Sequence, residues 1–281
     1  IKEIIYNSKE EYKNSIAFVV KNKKDGKINY ENITYERLLE DINKLGTALY
    51  QMGFKGKRVA IIGKNRYEWA LSHLANLLGG ITSVPLDKDL QYDELENSLI
   101  RSKADCIIFD EKLTDKIEKI KGENNTQLTE YICMGDNNNF KSINQLLKKG
   151  NELLNKGKKE YIDAKIDENK MNILLFTSGT TSKSIMLSQK NVASNIFAMR
   201  CVEDIRNTDT NIAFLPFHHI FGSTCLIMML ACGVKTVFPD GLRYIKQNLN
   251  EYKVSIFVGV PVLNEAIYKA IMKEIEKQGK T

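Results

Sequence analysis

Cysteine is scarce in this sequence, and its five cysteines do not form recognisable pairs. They stand at positions 106, 133, 201, 225 and 232, an odd number without any Cys-x-x-Cys spacing. This pattern argues against a zinc site and a disulfide framework, and the apolar neighbours of Cys106, Cys133 and Cys225 predict buried free thiols. The first residues carry charges where a signal peptide would have an apolar core, so we expect a cytoplasmic protein.

Long apolar runs are also missing. The most apolar stretch, 224–234, is far too short to cross a bilayer and predicts a buried helix. The net charge is +6, but the lysine-rich stretches 21–24 and 148–159 contain acidic neighbours and few aromatic residues, which is typical of a solvated surface. We therefore expect no transmembrane segment and no nucleic-acid partner, and at most peripheral contact with a membrane through the substrate.

Strand-like and helix-like patterns alternate along most of the 281 residues. Such alternation predicts parallel β–α–β units with right-handed crossovers, and hence an α/β fold. The stretch 148–170 is the most charged part of the chain, and it predicts an exposed connection between two lobes, about 1–147 and 171–281. Asn65, with Glu68 three residues later, resembles a capping box and predicts a helix start.

The most informative stretch joins an apolar β-type run to a short segment rich in hydroxyl groups. Its residues are Leu174, Leu175, Phe176, Thr177, Ser178, Gly179, Thr180, Thr181, Ser182, Lys183 and Ser184. A helical pattern then begins near Gln189. A strand, a turn and a helix can together hold a phosphate, because N–H groups of the turn form an anion site and a helix start adds a favourable dipole. The second Gly of the common nucleotide loop is absent, so a plain surface turn is the alternative.

This stretch resembles the phosphate loop of the AMP-forming acyl-CoA synthetases, a family of adenylate-forming enzymes. That loop reads Thr-Ser-Gly-Thr-Thr-Gly-x-Pro-Lys-Gly-Val-x-Leu, then Ser or Thr, then His. Residues 177–181 match it one for one and residues 185–188 match its tail, whereas Ser182 replaces a Gly and Gln189 replaces the usual His. The resemblance implies that ATP is bound by Thr177, Ser178, Gly179, Thr180, Thr181 and Lys183.

The middle of the loop is two residues shorter than the family pattern. A gap placed after Ser184 aligns Ser182, Lys183 and Ser184 with Gly, x and Pro, so the missing pair is the motif's own Lys-Gly. On that alignment Lys183 is not the motif lysine. Our hypothesis is that a loop tip was dropped from the recorded sequence, since loop tips concentrate disorder. The mass of a peptide spanning 182–186 distinguishes a true deletion from such an omission.

A pair of adjacent histidines, His218 and His219, follows another strand pattern. Loops after parallel strands are where open α/β sheets bind ligands. A metal pair is not predicted, because adjacent side chains diverge and no third ligand is evident. No Gly-x-Ser-x-Gly elbow indicates a Ser–His nucleophile system. From the residues alone, an ordinary loop histidine is as good an interpretation as a functional one.

Residues 216–222 resemble the family's Pro-x-x-His-x-x-Gly motif. The resemblance implies that His219 is catalytic and faces the acyl substrate and the forming adenylate. A Val-Pro motif whose backbone lines the acyl pocket is matched at residues 259–261. Core packing is the alternative for any one of the aromatic residues nearby. The substrate-binding residues implied are His219, Phe221, Gly222, Gly259, Val260 and Pro261, and no metal-binding residue is implied within the chain.

Over about residues 33–270, the resemblance implies the large N-terminal domain of adenylate-forming enzymes, with parallel-rich sheets flanked by helices in two similar lobes. It implies a ligase that uses ATP, Mg²⁺ and coenzyme A to convert a carboxylic acid, by weak preference a fatty acid, to an acyl-adenylate and then a thioester. Family members continue past the position of Thr281 with further adenylate motifs and a C-terminal domain. The chain therefore resembles an N-terminal fragment, incomplete and expected to be inactive alone. The alternatives are a non-catalytic nucleotide-binding module, or an adenylating enzyme with another acid or a carrier-protein thiol as acceptor.

Overall fold

The computed structural model describes residues 1–24, 26–176, 183–277 and 279. Helices and strands alternate through the described chain, as the sequence predicts. In chain order they are α1 (Lys2–Tyr12), β1 (Ile16–Lys24), β2 (Lys27–Thr34), α2 (Tyr35–Gln51), β3 (Arg58–Ile62), α3 (Tyr67–Leu78), β4 (Thr82–Leu86), α4 (Tyr92–Ser102), β5 (Cys106–Phe109), α5 (Thr114–Glu123), β6 (Glu130–Cys133), β7 (Lys141–Ser142), α6 (Ile143–Asn155), β8 (Met171–Phe176), β9 (Ser184–Ser188), α7 (Gln189–Val202), β10 (Thr210–Ile212), α8 (Ile220–Ala231), β11 (Lys235–Val237), α9 (Ile245–Glu251) and α10 (Pro261–Lys277).

The larger sheet has the strand order β7-β6-β5-β3-β4-β8-β9. Neighbours from β7 to β8 pair in parallel, and β9 returns antiparallel to β8. The inner strands are apolar along their whole length because helices cover both faces of the sheet. One face packs on α2 and α3 through residues such as Leu45 and Trp69, and the other packs on α4 and α5 through Leu99 and Ile117. The predicted α/β class is therefore confirmed.

The smaller sheet has the order β10-β11-β1-β2. Strands β1 and β2 form an antiparallel hairpin, and β1 also pairs in parallel with β11 near the far end of the chain. Each sheet thus draws strands from both sides of residues 148–170. The predicted division of the chain into lobes of about 1–147 and 171–281 stays a prediction.

The charged stretch 148–170 is less exposed than its composition predicts. Helix α6 occupies its first part, and Tyr161 is buried at 1% exposure. The Tyr161 hydroxyl donates a hydrogen bond to the carbonyl oxygen of Ala75 at 2.8 Å, and its ring fills the space above two glycines. A Cβ atom at Gly46 would lie 2.0 Å from this ring, and one at Gly79 would lie 2.5 Å from it. Most of the stretch is exposed, as predicted, but one aromatic side chain fastens it to α2 and α3. Its role as a connection between two lobes stays a prediction.

Candidate active site

The carboxyl ends of β4 and β8 lie side by side in the larger sheet. Ser83 of β4 pairs in parallel with Ile173 of β8, so the last residues of these strands, Leu86 and Phe176, stand level with one another. Neighbouring strands are about 5 Å apart. Asp87, which follows β4, therefore lies near Phe176, the last described residue before the hydroxyl-rich stretch. Thr177, Ser178, Gly179, Thr180, Thr181 and Ser182 themselves lie outside the described residues, and their contact with ATP stays a prediction.

The loop leads into a strand and not directly into a helix. Strand β9 pairs with β8 from Phe176 opposite Ser184 to Met171 opposite Ser188, and α7 begins only at the next residue. A five-residue strand spans about 16 Å, so the start of α7 lies at the opposite end of the hairpin from the loop. The predicted contribution of this helix dipole to phosphate binding was wrong. Lys183 is exposed at the entry to β9, and its role in ATP binding stays a prediction.

Strand β9 also runs without interruption through the position of the proposed two-residue gap. Ser184 and Ile185 occupy consecutive ladder positions opposite Phe176 and Leu175. The pairing needs no additional residue after Ser184 to keep its register. Two residues inserted after Ser184 would therefore either lengthen the connection between β8 and β9 or shift the pairing of β9 with β8 by two residues. A shift of two residues would keep each side chain on its original face of the sheet.

Gln189, which stands where the family motif has His, is part of the protein interior. It is 2% exposed, and its Nε2 donates to the carbonyl oxygen of Leu77 at 2.6 Å and to Oδ1 of Asn172 at 2.5 Å. These bonds fasten the start of α7 to the end of α3. The replacement of the motif's His by Gln189 is therefore explained by these buried hydrogen bonds, which lie at the end of β9 that is far from Ser184.

The histidine segment lies between β10 and α8 and is held by Asn65. The Asn65 side-chain Nδ2 donates to the carbonyl oxygens of Ala213 and Leu215 at 2.9 and 2.7 Å, and its Oδ1 accepts from the backbone N–H of Phe217 at 2.9 Å. The predicted capping box at Asn65 was wrong, because Arg66 is the N-cap residue of α3 and no side chain caps that helix. Asn65 instead joins the end of β3 to the segment that carries both histidines.

His218 is half-buried and faces Asp87. Its Nε2 lies 3.5 Å from Asp87 Oδ2, too far for a well-formed hydrogen bond, and its ring centroid is 4.2 Å from that of His219. Burial lowers the pKa of His218 from 6.5 to about 4, although the Asp87 carboxylate acts in the opposite direction. His218 is therefore neutral at pH 7, and it links the histidine segment to the end of β4.

His219, the histidine implied to be catalytic, is exposed at the N-cap position of α8. Its backbone N–H donates to the carbonyl oxygen of Pro216 at 3.1 Å, so the peptide is fixed while the imidazole faces solvent. A side chain in this position can approach a bound molecule at the edge of the sheets. Its role towards a substrate stays a prediction.

Gly222 explains the spacing of the histidine motif. A Cβ atom at this position would lie 2.2 Å from the carbonyl oxygen of Pro216, so only glycine lets α8 pack against the turn that precedes the histidines. Phe221 is 47% exposed beside it, whereas Phe217 is buried against Trp69 at a ring-centroid distance of 5.3 Å. The motif thus builds a rigid turn with one exposed aromatic ring and one exposed imidazole.

The predicted Val-Pro motif begins α10. Pro261 is the first residue of that helix, and Val260 is 41% exposed. The apolar residues at 254–258 predict a strand, but in the described structure they contribute a single bridge, between Ile256 and Asn211. A small cavity with mostly apolar walls lies between this region and α8. Among its lining residues are Phe217, Gly222, Cys225, Leu226 and Val258. Of the predicted substrate-binding residues, Gly222 lines this cavity, whereas His219, Phe221, Gly259, Val260 and Pro261 do not.

The chain matches the AMP-binding enzyme family over residues 6–280. It belongs to that family. It is 27% identical over 270 residues to long-chain-fatty-acid–CoA ligase 5 of Mus musculus, covering 87% of this chain and 38% of the mouse protein. Fatty acyl-CoA synthetase B of Dictyostelium discoideum is 25% identical over 268 residues, covering 89% of this chain and 39% of that protein. The chain thus spans less than half the length of these relatives.

The fold of this AMP-binding family member is shared with solved structures. A long-chain-fatty-acid-CoA ligase from Archaeoglobus fulgidus superposes with a TM-score of 0.76 at 18% identity, covering 90% of this chain and 50% of that one. In the part of the chain that the structure describes, no helix is long and apolar enough to cross a membrane. Within the same described ranges, no three His, Cys, Asp or Glu side chains come together as a metal site.

Two residues of the site escaped the sequence analysis. Asn65 and Asp87 follow β3 and β4, and both contact the histidine segment more than 120 positions later. Their positions after buried parallel strands were a usable signal, because the carboxyl ends of such strands bind ligands in open α/β sheets. Nothing in the sequence indicated which distant segment they would contact.

Proposed function

We propose that this AMP-binding family member takes part in activating a fatty acid with ATP and transferring the acyl group to coenzyme A. The observation that carries the proposal is the family match together with the alignment of strand ends. Leu86 and Phe176 end level in the larger sheet, and Asp87 next to them lies 3.5 Å from His218. The histidine segment therefore lies near the level strand ends, and the hydroxyl-rich stretch follows one of them, Phe176, in the chain.

The proposed chemistry solves a leaving-group problem. A carboxylate is a poor acyl donor because oxide would have to leave. One carboxylate oxygen attacks the α-phosphorus of MgATP, the bond to the bridging oxygen breaks, and pyrophosphate leaves with the electron pair. The thiolate of coenzyme A then attacks the acyl carbon, and AMP leaves as the thioester forms. In such a reaction the protein mainly positions the groups and stabilises charge.

The residues of this chain take the positioning tasks. The hydroxyls and N–H groups of 177–181 contact the phosphates, with Mg²⁺ entering as part of MgATP. His219 orients the carboxylate from the edge of the site. Its neighbour His218, neutral at pH 7, adds no positive charge of its own. Phe221 and the apolar residues around Gly222 face the acyl group.

A fatty acid is proposed because both curated relatives compared above are named for long-chain or fatty acyl substrates. The exposed ring of Phe221 suits a hydrocarbon chain better than a polar acid. The apolar cavity between α8 and Val258 has a volume of about 20 Å³, which is room for about one water molecule, and it does not itself hold the chain. A cytoplasmic location, with membrane contact limited to acquiring the substrate, is part of the same proposal.

A non-catalytic nucleotide-binding module is the second candidate, favoured by the missing Lys-Gly pair in the phosphate loop. Loss of a cation near the phosphates removes a charge-assisted hydrogen bond, which weakens transition-state stabilisation more than simple binding.

The test is exchange of labelled pyrophosphate into ATP, with and without a mixture of saturated fatty acids. We expect acid-dependent exchange from a protein of the relatives' length that carries this chain, and MgATP binding without turnover from the 281 residues alone. His219→Ala in the longer protein should reduce exchange, whereas Asn172→Ala, remote from the site, should not. MgATP binding without exchange in the longer protein would support the binding module and refute the ligase.

A further inference from the structure

The segment 213–219 carries both histidines but forms no helix or strand of its own. Ala213 N–H donates to the Val237 carbonyl of β11 and Phe214 N–H donates to Ile212, which precedes the segment, while His219 N–H donates to Pro216 within it. The side chain of Asn65 forms hydrogen bonds with three other backbone groups of the segment, at donor–acceptor distances of 2.7 to 2.9 Å. The position of the histidines relative to the larger sheet therefore depends on this amide.

The chemistry of these three bonds selects an amide. Both Nδ2 hydrogens of Asn65 are donated to carbonyl oxygens, and Oδ1 accepts the Phe217 N–H. Aspartate has the same shape but would place an oxygen against two carbonyl oxygens, and glutamine is one methylene too long. Both donors and the acceptor of the Asn65 amide are therefore hydrogen-bonded to a single segment, about 150 positions away in the chain.

Apolar packing holds the same segment from other sides. Phe217 packs against Trp69 of α3, and the Pro216 carbonyl packs against Gly222 of α8. Apolar packing keeps the segment close to α3 and α8 but does not fix its position along them, because such contacts have no preferred direction. Three directional hydrogen bonds from Asn65 fix which backbone groups of the segment face the end of β3. The Asn65 bonds are the polar connection between the end of β3 and the segment that leads to His219.

We propose that Asn65 is a positioning residue for His219, which it holds against the carboxyl edge of the larger sheet so that the imidazole meets the carboxylate substrate. This inference rests on the proposed ligase function. A residue with this role affects the steps that involve the acid more than the binding of ATP.

A merely stabilising residue would give a different result, and Asn172 provides the matched control. Its side-chain amide is also buried and also bonds backbone, with Nδ2 donating to the Ile81 carbonyl at 2.7 Å, but it contacts no part of 213–219 in the described structure. The variants to compare are Asn65→Ala, Asn65→Asp and Asn172→Ala.

The first measurement is native-state amide exchange followed residue by residue in the 281-residue chain. We expect the Phe217 N–H to exchange at least about 10-fold faster in Asn65→Ala than in Asn172→Ala, after correction for the change in global stability. Equal exchange at Phe217 in the two variants would overturn the proposal, because the segment would then be held without Asn65.

The second measurement is steady-state pyrophosphate exchange in the longer protein. We expect Asn65→Ala and Asn65→Asp to lower kcat/KM for the fatty acid by about 10-fold or more while the KM for ATP changes less than about threefold. Unchanged parameters for the acid, or equal losses for acid and ATP, would overturn the positioning role. Absence of exchange in the unsubstituted protein would refute the proposed function, and the amide measurement would still decide whether Asn65 holds the segment.

Discussion

Burial of His73 makes the stability of this protein depend on pH in a calculable way. His73 lies on α3 with no measurable exposure, its Nδ1 is 2.9 Å from Ser83 Oγ, and its ring packs against Trp69. Its Nε2 has no hydrogen-bond partner among the described residues. Desolvation lowers the pKa of His73 from 6.5 to about 3, because a charged imidazole has no water around it there.

The direction of the pH dependence of stability follows from which state, folded or unfolded, binds a proton at His73. Below pH 6.5 the unfolded chain protonates His73 while the native protein does not, so stability is fully present above pH 6.5 and falls as the pH decreases towards 3. With these two pKa values, lowering the pH from 7 to 5 costs about 2 kcal/mol of unfolding free energy from this residue.

Urea unfolding at pH 7, 6 and 5, monitored by the fluorescence of the single tryptophan, Trp69, measures this effect. We expect the loss between pH 7 and 5 to be about 2 kcal/mol smaller in His73→Gln than in the unsubstituted protein. Ser83→Ala is the control, since it removes the hydrogen bond to Nδ1 but leaves the imidazole buried, and it should retain the full pH dependence. Equal pH dependence in the His73→Gln and unsubstituted proteins would refute the reasoning, whatever their stabilities at pH 7.

Other expectations concern packing, the thiols and the loop. Tyr161→Phe should cost about 1 kcal/mol in urea unfolding, because it removes the hydrogen bond from the Tyr161 hydroxyl and leaves the Ala75 carbonyl with the Gly79 N–H alone. Gly46→Ala should cost more than Gly122→Ala, whose Cβ would meet nothing within 4 Å, since the Cβ at position 46 would meet the Tyr161 ring at 2.0 Å; equal costs would contradict the proposed packing. Cys201 is exposed while the other four cysteines are buried, so one thiol should react rapidly with a disulfide reagent in the native protein, and Cys201→Ser should abolish that phase. Insertion of Lys-Gly after Ser184 should tighten MgATP binding by about 10-fold in calorimetry, whereas insertion of Ala-Gly should not.

The sequence predicted those elements whose burial leaves a periodic pattern. The residue pattern predicts a helix at 92–102 and a strand at 106–109, and α4 and β5 have these bounds because one face of the helix and the whole strand are buried. Strands β2 and β9 were missed for the opposite reason. Six residues of β2 in succession are exposed, and β9 is an edge strand with exposed Ile185 and Met186, so neither shows the alternation that indicates a strand.

The site divides in a similar way. Local motifs located His219 and Gly222, since their spacing reflects a turn built from nearby residues. Tyr161 and Asn65 were misjudged because each contacts partners at least 82 positions away, and a lone Tyr in a charged run or an Asn before a helix has a simpler local interpretation. Contacts at such separation depend on how the sheets are assembled, which periodicity does not specify.

The position of the hairpin changes what the phosphate loop must supply. Helix α7 starts at the opposite end of β9 from Ser184, so the length of that strand separates its N-terminus from Phe176, which precedes the predicted phosphate-binding residues, and a helix dipole acts only near the first turn. The loop's own N–H groups, its hydroxyls and a cation carried on the loop must then provide the stabilisation. A missing motif lysine is therefore more serious in this arrangement than in a strand–loop–helix site, where the dipole would compensate in part. For the same reason, the predicted phosphate site is tested by inserting Lys-Gly after Ser184 and not by substituting residues of α7.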